Sequence, residues 1–309
     1  MRLFYKFYYI FIITLIPLAV SSFGTEPINP IVSVIYNDKP IRLKKDPLSN
    51  LLIAQCSING IPCNLIVDTA ASHTTFDIQF IQKHFPDIPL KNIPIAPESN
   101  VKARPKLFAV QSFSLAGLHI KNYLGMALDL SPLQKAMNEK VDGILGMNYL
   151  SHSPFLLSVK NAFIQFLDRA AFPTSCMKQL NIRRSHSGIF YIYCSRDGQT
   201  FQLALDSGST ISMAPQKKWP MDQTAHPFTV QTTDINGHQA NVHIMRKSIP
   251  STLYIGQNFH LENLSIVVTQ TKENHLLGVD VLRYFDIIID APQGKIFALP
   301  IHNEQNPSP

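Results

Sequence analysis

Apolar and polar positions follow one another in short runs broken by turn residues, and the clearest of these runs occur as a pair. The run 51–58 is followed by Asn59-Gly60 and then by Ile61-Pro62-Cys63-Asn64-Leu65-Ile66-Val67. Asn-Gly tolerates positive φ at both centres of a type I′ turn, so the stretch predicts a two-residue β-hairpin. The same plan recurs in Cys194-Ser195-Arg196, Asp197-Gly198 and Gln199-Thr200-Phe201-Gln202-Leu203-Ala204-Leu205. Cys56 and Cys194, Gly60 and Gly198, and Asp68 and Asp206 are each 138 positions apart. Further on, Ile120-Lys121-Asn122-Tyr123 parallels Leu261-Glu262-Asn263-Leu264. Gly294 is placed to turn a last hairpin of 285–290 against 295–299.

Helical signals are few. Asp77 precedes an apolar stretch from Ile78 to Phe85 that Pro86 ends, which predicts a short helix capped by Asp77. Ser131-Pro132-Leu133-Gln134 reads as a helix start, with Ser as cap, Pro in the first position and Gln three residues after the cap. That helix, expected to run to about Lys140, has no counterpart in the second half. Residues 86–106 are proline-rich and without period, as a loop would be. The chain therefore reads as mainly β, internally duplicated, with few short helices. Its parts are a lead-in segment at 23–49, a first half at 50–168, a polar and basic linker at 169–188, a second half at 189–301 and a tail at 302–309.

Composition changes this picture in three places. Apolar residues make up 45% of the 309, and charged residues 16%, so the chain can build a core and shows no sign of global disorder. The net charge of +6 comes without an array of basic and aromatic residues, so no nucleic-acid partner is expected. Residues 1–22 look like a secretion signal: Arg2 and Lys6 lead an uncharged run from Phe7 to Val20, and small residues follow at Ser21-Ser22. The chain is thus expected to be secreted or periplasmic. Retention of residues 7–23 as a membrane anchor is the alternative, although the run is short for a spanning helix of about 20 residues.

The candidate chemistry lies where each duplicated hairpin ends. The returning strands finish in Asp68 and Asp206, followed by Thr69-Ala70-Ala71 and Ser207-Gly208-Ser209. A carboxylate after a buried strand is costly unless something hydrogen-bonds it. The hydroxyls and loop N–H groups beside each Asp are the available donors. Two such sites related by a repeat point to a pair brought face to face.

Leu203-Ala204-Leu205-Asp206-Ser207-Gly208-Ser209-Thr210 closely resembles the Asp-Thr/Ser-Gly motif of aspartic proteases. Ile144-Leu145-Gly146 and Leu276-Leu277-Gly278 resemble the two apolar residues and late glycine that pack against each catalytic loop in that family. The resemblance extends over roughly 50–168 and 189–299. It implies a two-lobed, acid-protease-like β-barrel fold, and an endopeptidase in which Asp68 and Asp206 share a proton and activate a water. Thr69 and Ser207 would brace the loops across the two lobes. It further implies a monomer that takes an extended peptide or unfolded protein as substrate, with no cofactor and no metal. A flap is expected over 230–244 with Asn236 and Gly237 at its tip, whereas the matching offset in the first half, around Ser99-Asn100, has no clear flap signal.

This sequence departs from the family pattern at two positions. Ala70 stands where the family has Gly, which motivates an alternative reading: a catalytically impaired, protease-derived protein of the cell envelope that binds peptides. Ala71 faces Ser209 in the repeat, and a Ser there could favour the ionised Asp whereas Ala cannot; an active pH in the mildly acidic to neutral range is expected. Four cysteines suit an oxidising compartment. Cys56 and Cys63 would face each other across the first hairpin within disulfide reach. Cys56–Cys63 with Cys176–Cys194 is the favoured pairing, and four buried thiols the alternative.

Overall fold

The computed structural model describes residues 10–11, 29–36, 39–93, 105–172, 177–219, 222, 224, 228–234, 239–256, 259–269 and 275–301. Both expected hairpins form. Asn59 and Gly60 take φ of 47° and 81°, and Asp197 and Gly198 take 47° and 75°. The turns set the register, pairing Ile58 with Ile61 and Arg196 with Gln199. Pro62 lies opposite Ser57, two residues from the turn, where its missing N–H costs no bond to that partner strand.

Each lobe is built around the returning strand of its hairpin. In the first lobe Ile61–Val67 lies between Leu52–Ile58, antiparallel, and Gly143–Leu145, parallel. In the second lobe Gln199–Leu205 lies between Phe190–Arg196, antiparallel, and Leu276–Leu277, parallel. The central strands are covered on both sides: Leu65, Ile66, Val67, Leu203 and Leu205 have no exposed surface. Burying such side chains contributes about 1.5–3 kcal/mol each, which holds the strand ends, and the two Asp residues after them, in place.

A third sheet ties the lobes together. Its order runs Lys178–Gln179, Lys295–Pro300, Phe285–Asp290, Phe155–Ser158, Phe163–Phe166 and Ile41–Arg42. The hairpin closing the first half and the hairpin closing the second meet edge to edge, with Phe155 opposite Ile289 and Leu157 opposite Ile287. Phe155, Leu157, Ile164, Phe285, Ile287 and Ile289 are buried there. Arg169 clamps Asp290 with Nε and an Nη at 2.8 Å each, fastening the end of the first half to the last strands. The architecture is the two-lobed, mainly β barrel fold that the duplication implies.

Several local expectations are corrected. The helix after Asp77 spans Ile78–His84, but Asp77 does not cap it; its carboxylate accepts from Leu130 N–H at 3.2 Å and Gln134 Nε2 at 3.1 Å. The second helix is only Ser131–Ala136, and Ser131 lies inside it after Leu130. Gln134 is drawn away to Asp77, so no capping box forms. The stretch 169–188 contains the 3-10 turn Arg169–Ala171 and the strands Lys178–Gln179 and Ile182–Arg184. Ile10 and Phe11, inside the apolar leader, pair in parallel with Thr233 and Asp234. Among the described residues no helix is long and apolar enough to cross a membrane.

The cysteine pairing is also corrected. Cys56 and Cys63 are directly opposite in register, yet both are free and buried thiols, as is Cys194. Burial raises all three thiol pKa values, Cys63 to about 12, so the thiolate that disulfide formation requires is scarce. Cys176 lies outside the described residues.

Asp46 holds the lead-in against the first lobe. Its buried carboxylate accepts from Ser49 N–H and Ser49 Oγ at 2.8 Å, and from the N–H groups of Asn138 at 3.0 Å and Glu139 at 2.9 Å. Burial pushes its pKa up, but these donors outweigh it and the net shift is downward. A lowered folded pKa gives stability that is present above the unfolded value near 3.9 and lost as pH falls through the folded one. Asp46→Ala is expected to destabilise by about 2–4 kcal/mol at pH 6. Urea midpoints for the two chains should draw together as pH falls from the unfolded value near 3.9 through the lower folded one.

Candidate active site

The two loops after the central strands meet at the junction of the lobes, and each is tethered in the same way. Asp68 N–H donates to Leu145 O at 3.0 Å and Asp206 N–H to Leu277 O at 3.0 Å. Met147 N–H donates to Ala71 O at 2.7 Å and Val279 N–H to Ser209 O at 2.9 Å. Gly146 and Gly278 are required for space. A Cβ on Gly146 would lie 2.6 Å from His73 O and 2.9 Å from Ala71 O, and one on Gly278 would lie 2.6 Å from Ile211 C and 2.8 Å from Ser209 O.

Thr69 and Ser207 join the loops across the lobes. Thr69 Oγ1 donates to Leu205 O at 2.7 Å and accepts from Ser207 N–H at 3.0 Å. Ser207 Oγ donates to Val67 O at 2.7 Å and accepts from Thr69 N–H at 3.1 Å. Each hydroxyl therefore satisfies one carbonyl and one N–H of the other lobe, all buried. Thr69→Val keeps the shape and leaves two buried backbone groups of the second lobe unpaired, at a cost of about 2–4 kcal/mol. A double-mutant cycle with Ser207→Ala should show coupling, because the four bonds form one ring.

The carboxyls of Asp68 and Asp206 lie within hydrogen-bonding reach of each other. The inner oxygen of each is held by its own loop: Asp68 Oδ1 accepts from Ala70 N–H at 2.8 Å and Ala71 N–H at 2.9 Å, and Asp206 Oδ1 accepts from Gly208 N–H at 2.9 Å. The outer oxygen Asp68 Oδ2 is buried and receives no N–H or O–H from the loops. Two anionic carboxylates would leave it without a donor, whereas one proton placed between the pair supplies the donor. Asp68 has no exposed surface and Asp206 only 5%. Burial pushes Asp68 up to about 7 against the pull of its two N–H donors. Burial also pushes Asp206 well above the carboxylate range, and the Asp68 charge opposes its ionisation further. Such a pair takes up and releases protons jointly.

Not every residue singled out in the sequence does what was expected of it. Ala70 takes no positive φ, and neither does Gly208, so Ala at position 70 carries no left-handed strain. Ser209 Oγ turns away from Asp206 and donates to Ile211 O at 2.9 Å; its single proton is used there. The contrast between Ala71 and Ser209 therefore does not act through a hydroxyl on the carboxylate. Asn236 and Gly237 lie outside the described residues. The strands leading to them, Phe228–Asp234 and Gln239–Lys247, pair antiparallel. In the first lobe Lys91–Asn92 pairs with Lys106–Leu115 at the corresponding place, and the segment between, 94–104, is likewise outside the described residues.

Sequence reasoning missed a further set of supports. Thr74 Oγ1 accepts from Gly146 N–H at 3.1 Å and donates to Asn148 Oδ1 at 3.0 Å. Ser212 Oγ accepts from Gly278 N–H at 2.8 Å and donates to Asp280 Oδ1 at 2.6 Å. Thr74 and Ser212 are themselves 138 positions apart, and Asn148 and Asp280 each follow their glycine by two. The repeat could have found them. Burial raises the Asp280 pKa against its hydrogen bonds to Ser212. Among the described residues no group of three or more His, Cys, Asp or Glu is placed to hold a metal ion.

Residues 54–149 match a sequence model of the aspartyl protease family. No curated protein matches the chain. Among solved structures, conglutin gamma, a basic 7S globulin from lupine seeds, is similar with a TM-score of 0.50 at 10% identity, covering 88% of this chain and 95% of that one. Basic 7S globulin from soybean gives a TM-score of 0.48 at 11% identity, with the same coverage. The lupine protein shares the fold over both lobes, and residues 54–149 of the first lobe match aspartyl proteases in sequence.

Proposed function

We propose that the chain is an aspartic endopeptidase that hydrolyses peptide bonds with water activated between Asp68 and Asp206. The observation that carries this reading is the outer oxygen of Asp68, buried beside Asp206 with no loop donor, which calls for one shared proton. Two carboxylates this close cannot both ionise, so one serves as base while the other stays an acid; this logic is that of the well-known protease dyad. The ionised carboxylate takes a proton from water as its oxygen bonds to the peptide carbonyl carbon. The protonated carboxyl gives its proton to the carbonyl oxygen. Collapse of the tetrahedral intermediate then breaks the C–N bond: the carboxyl that took the water proton gives it to the departing amine, and the other carboxylate takes back the hydroxyl proton, which restores the pair. The loops contribute by keeping both carboxyls in place, so that little reorganisation is needed.

The substrate in this reading is an extended peptide or an unfolded protein, held by strand-like backbone contacts. The apolar leader supports export, with action outside the cytoplasm. Because burial raises both carboxyls, activity is expected at mildly acidic to neutral pH and not below about pH 3. A second reading, a peptide-binding protein that does not cut, is favoured by the complete burial of Asp68 and by Ala70. The test is incubation of the purified chain with denatured protein from pH 3 to 7, with and without pepstatin, beside Asp206→Asn. Pepstatin-sensitive cleavage that the variant loses supports the peptidase. Binding of the denatured protein without cleavage supports the second reading.

A further inference from the structure

The sheet of the first lobe ends in a strand that is paired on one side only among the described residues. Ile31–Val34 runs antiparallel to Leu118–Leu128 and stands last in the strand order. Its register has no bulge, and it carries no charged residue. Ile31 and Ile35 are 60% and 61% exposed, and Tyr36 is exposed as well. Sheet edges are commonly guarded by a charge, a proline or a bulge; an apolar edge without them is a template for a further strand. The free backbone groups can be assigned. Ile35 N–H donates to Gly117 O at 2.8 Å, and successive residues of a strand point their backbone groups to opposite edges. Ile31, Ser33 and Ile35 therefore bond to Leu118–Leu128 and its turn, whereas the N–H and C=O of Val32 and Val34 point out of the sheet.

We propose that this edge docks a second copy of the chain, the two Ile31–Val34 strands pairing antiparallel about a two-fold axis at Ser33. Ile31-Val32-Ser33-Val34-Ile35 reads the same in both directions. Paired about Ser33, it sets Ile31 opposite Ile35 of the second copy, Val32 opposite Val34, and Ser33 opposite Ser33. Val32 and Val34, whose backbone groups are free, then exchange both hydrogen bonds with each other across the axis. The exposed Ile31 and Ile35 fall into the close pairs without hydrogen bonds, where Cα atoms lie about 4.5 Å apart and β-branched side chains pack. Val32 and Val34 stand opposite the fully buried Ile120 and Leu118, so the second copy also extends the apolar layer beneath the sheet. A five-residue edge covers less than the about 1,200 Å² at the lower end of stable interfaces, so the dimer is a reversible one that forms at high chain concentration. The dyad is complete within one chain; the association stands apart from the peptidase reading and departs from the monomer that the resemblance implies.

The experiment is sedimentation equilibrium of the full chain up to about 200 μM, a range that reaches weak complexes, together with cysteine cross-linking. The wild type should move from one chain toward two as concentration rises. Val32→Pro removes an N–H on the free edge and none that faces Leu118–Leu128, a place where strands tolerate proline; it should keep the melting temperature and weaken association at least about tenfold. Should that variant not fold, the double variant Ile31→Lys with Ile35→Lys, at two sites more than half exposed, sets like charges opposite each other across the axis and should weaken association equally. Under oxidation Ser33→Cys should give a covalent dimer, since position 33 meets itself at about 4.5 Å, within disulfide reach. Ile35→Cys should cross-link no more than wild type, because its two copies lie four strand places apart, about 13 Å. A wild type that stays monomeric at about 200 μM gives the edge to another occupant and overturns the inference. So does association unchanged in both the Val32→Pro and the double-lysine chains, which places the contact elsewhere, the apolar leader included. Equal cross-linking at positions 33 and 35 overturns the antiparallel pairing about Ser33.

Discussion

Asp206→Asn is expected to give a folded chain that cuts no peptide and is more stable than wild type at pH 7. On the peptidase reading proposed above, the loss of cleavage follows from the shared proton: an amide can neither give nor take it in the acid–base cycle, and a fall in kcat of at least about 10³ is expected. The gain in stability follows from the direction of the pKa shifts. Both carboxyls have folded pKa values above the unfolded value near 3.9, Asp68 reaching about 7. An acid of that kind contributes most to stability below its unfolded pKa, and the contribution declines as pH rises toward the folded value. Between about pH 4 and pH 7 the fold therefore carries an unfavourable term that an uncharged Asn at 206 relieves. The Asn amide can also donate to Asp68 Oδ2, the oxygen otherwise without a donor. A rise in Tm of roughly 3 °C or more is expected at pH 7 and little change at pH 4, read by thermal melts at the two values. A lower Tm at pH 7 would mean that the pair is not strained by burial; cleavage retained by the variant would remove Asp206 from the chemistry.

Gly278→Ala is expected to have the largest effect on stability. The added methyl would meet the carbonyl of Ile211, with its carbon at 2.6 Å, and Ser209 O at 2.8 Å. These are backbone atoms, and the segment that contains them is already tied down. Val279 N–H holds Ser209 O, and Gly278 N–H holds Ser212 Oγ. The φ of Gly278 is −90°, so Ala could adopt the backbone conformation itself; the penalty is purely one of space. Relief would require moving the strand Leu276–Leu277 away from Gln199–Leu205 or displacing the Asp206 loop. A loss of about 3–5 kcal/mol follows, measurable as a shift in the urea midpoint. Gly146→Ala should behave similarly, since its methyl would meet His73 O at 2.6 Å. A variant with wild-type stability would show that the loops can shift apart without loss.

Much of this was legible along the chain because it rests on local chemistry that occurs twice. Asn59-Gly60 and Asp197-Gly198 have the backbone freedom for tight hairpins, and the strands they join carry enough apolar residues to be buried. An Asp followed by a hydroxyl residue at both strand ends, with a late glycine in each half, located the candidate site. Several of the misreadings share one cause, a polar side chain with more than one possible partner. Asp77 could have capped its own helix but binds Leu130 and Gln134 instead. Ser209 could have reached Asp206 but turns to Ile211. Cys56 and Cys63 stand opposite each other as expected, and the core around them keeps both as thiols.

The amino-acid sequence by itself determined the duplication, the hairpins, the β-rich class and the two carboxylates, because turn propensity, apolar alternation and a repeat of 138 residues are properties of short stretches and their spacing. Only the tertiary structure decided that the Thr69 and Ser207 hydroxyls close a ring between lobes, that Asp68 Oδ2 is left without a donor, and that the Asp68 carboxyl fills the space a side chain at Gly208 would need. The physical reason is that hydrogen-bond partners, desolvation and close contact depend on which distant segments meet. In this chain they meet through a sheet shared by both halves, where Phe155 pairs with Ile289.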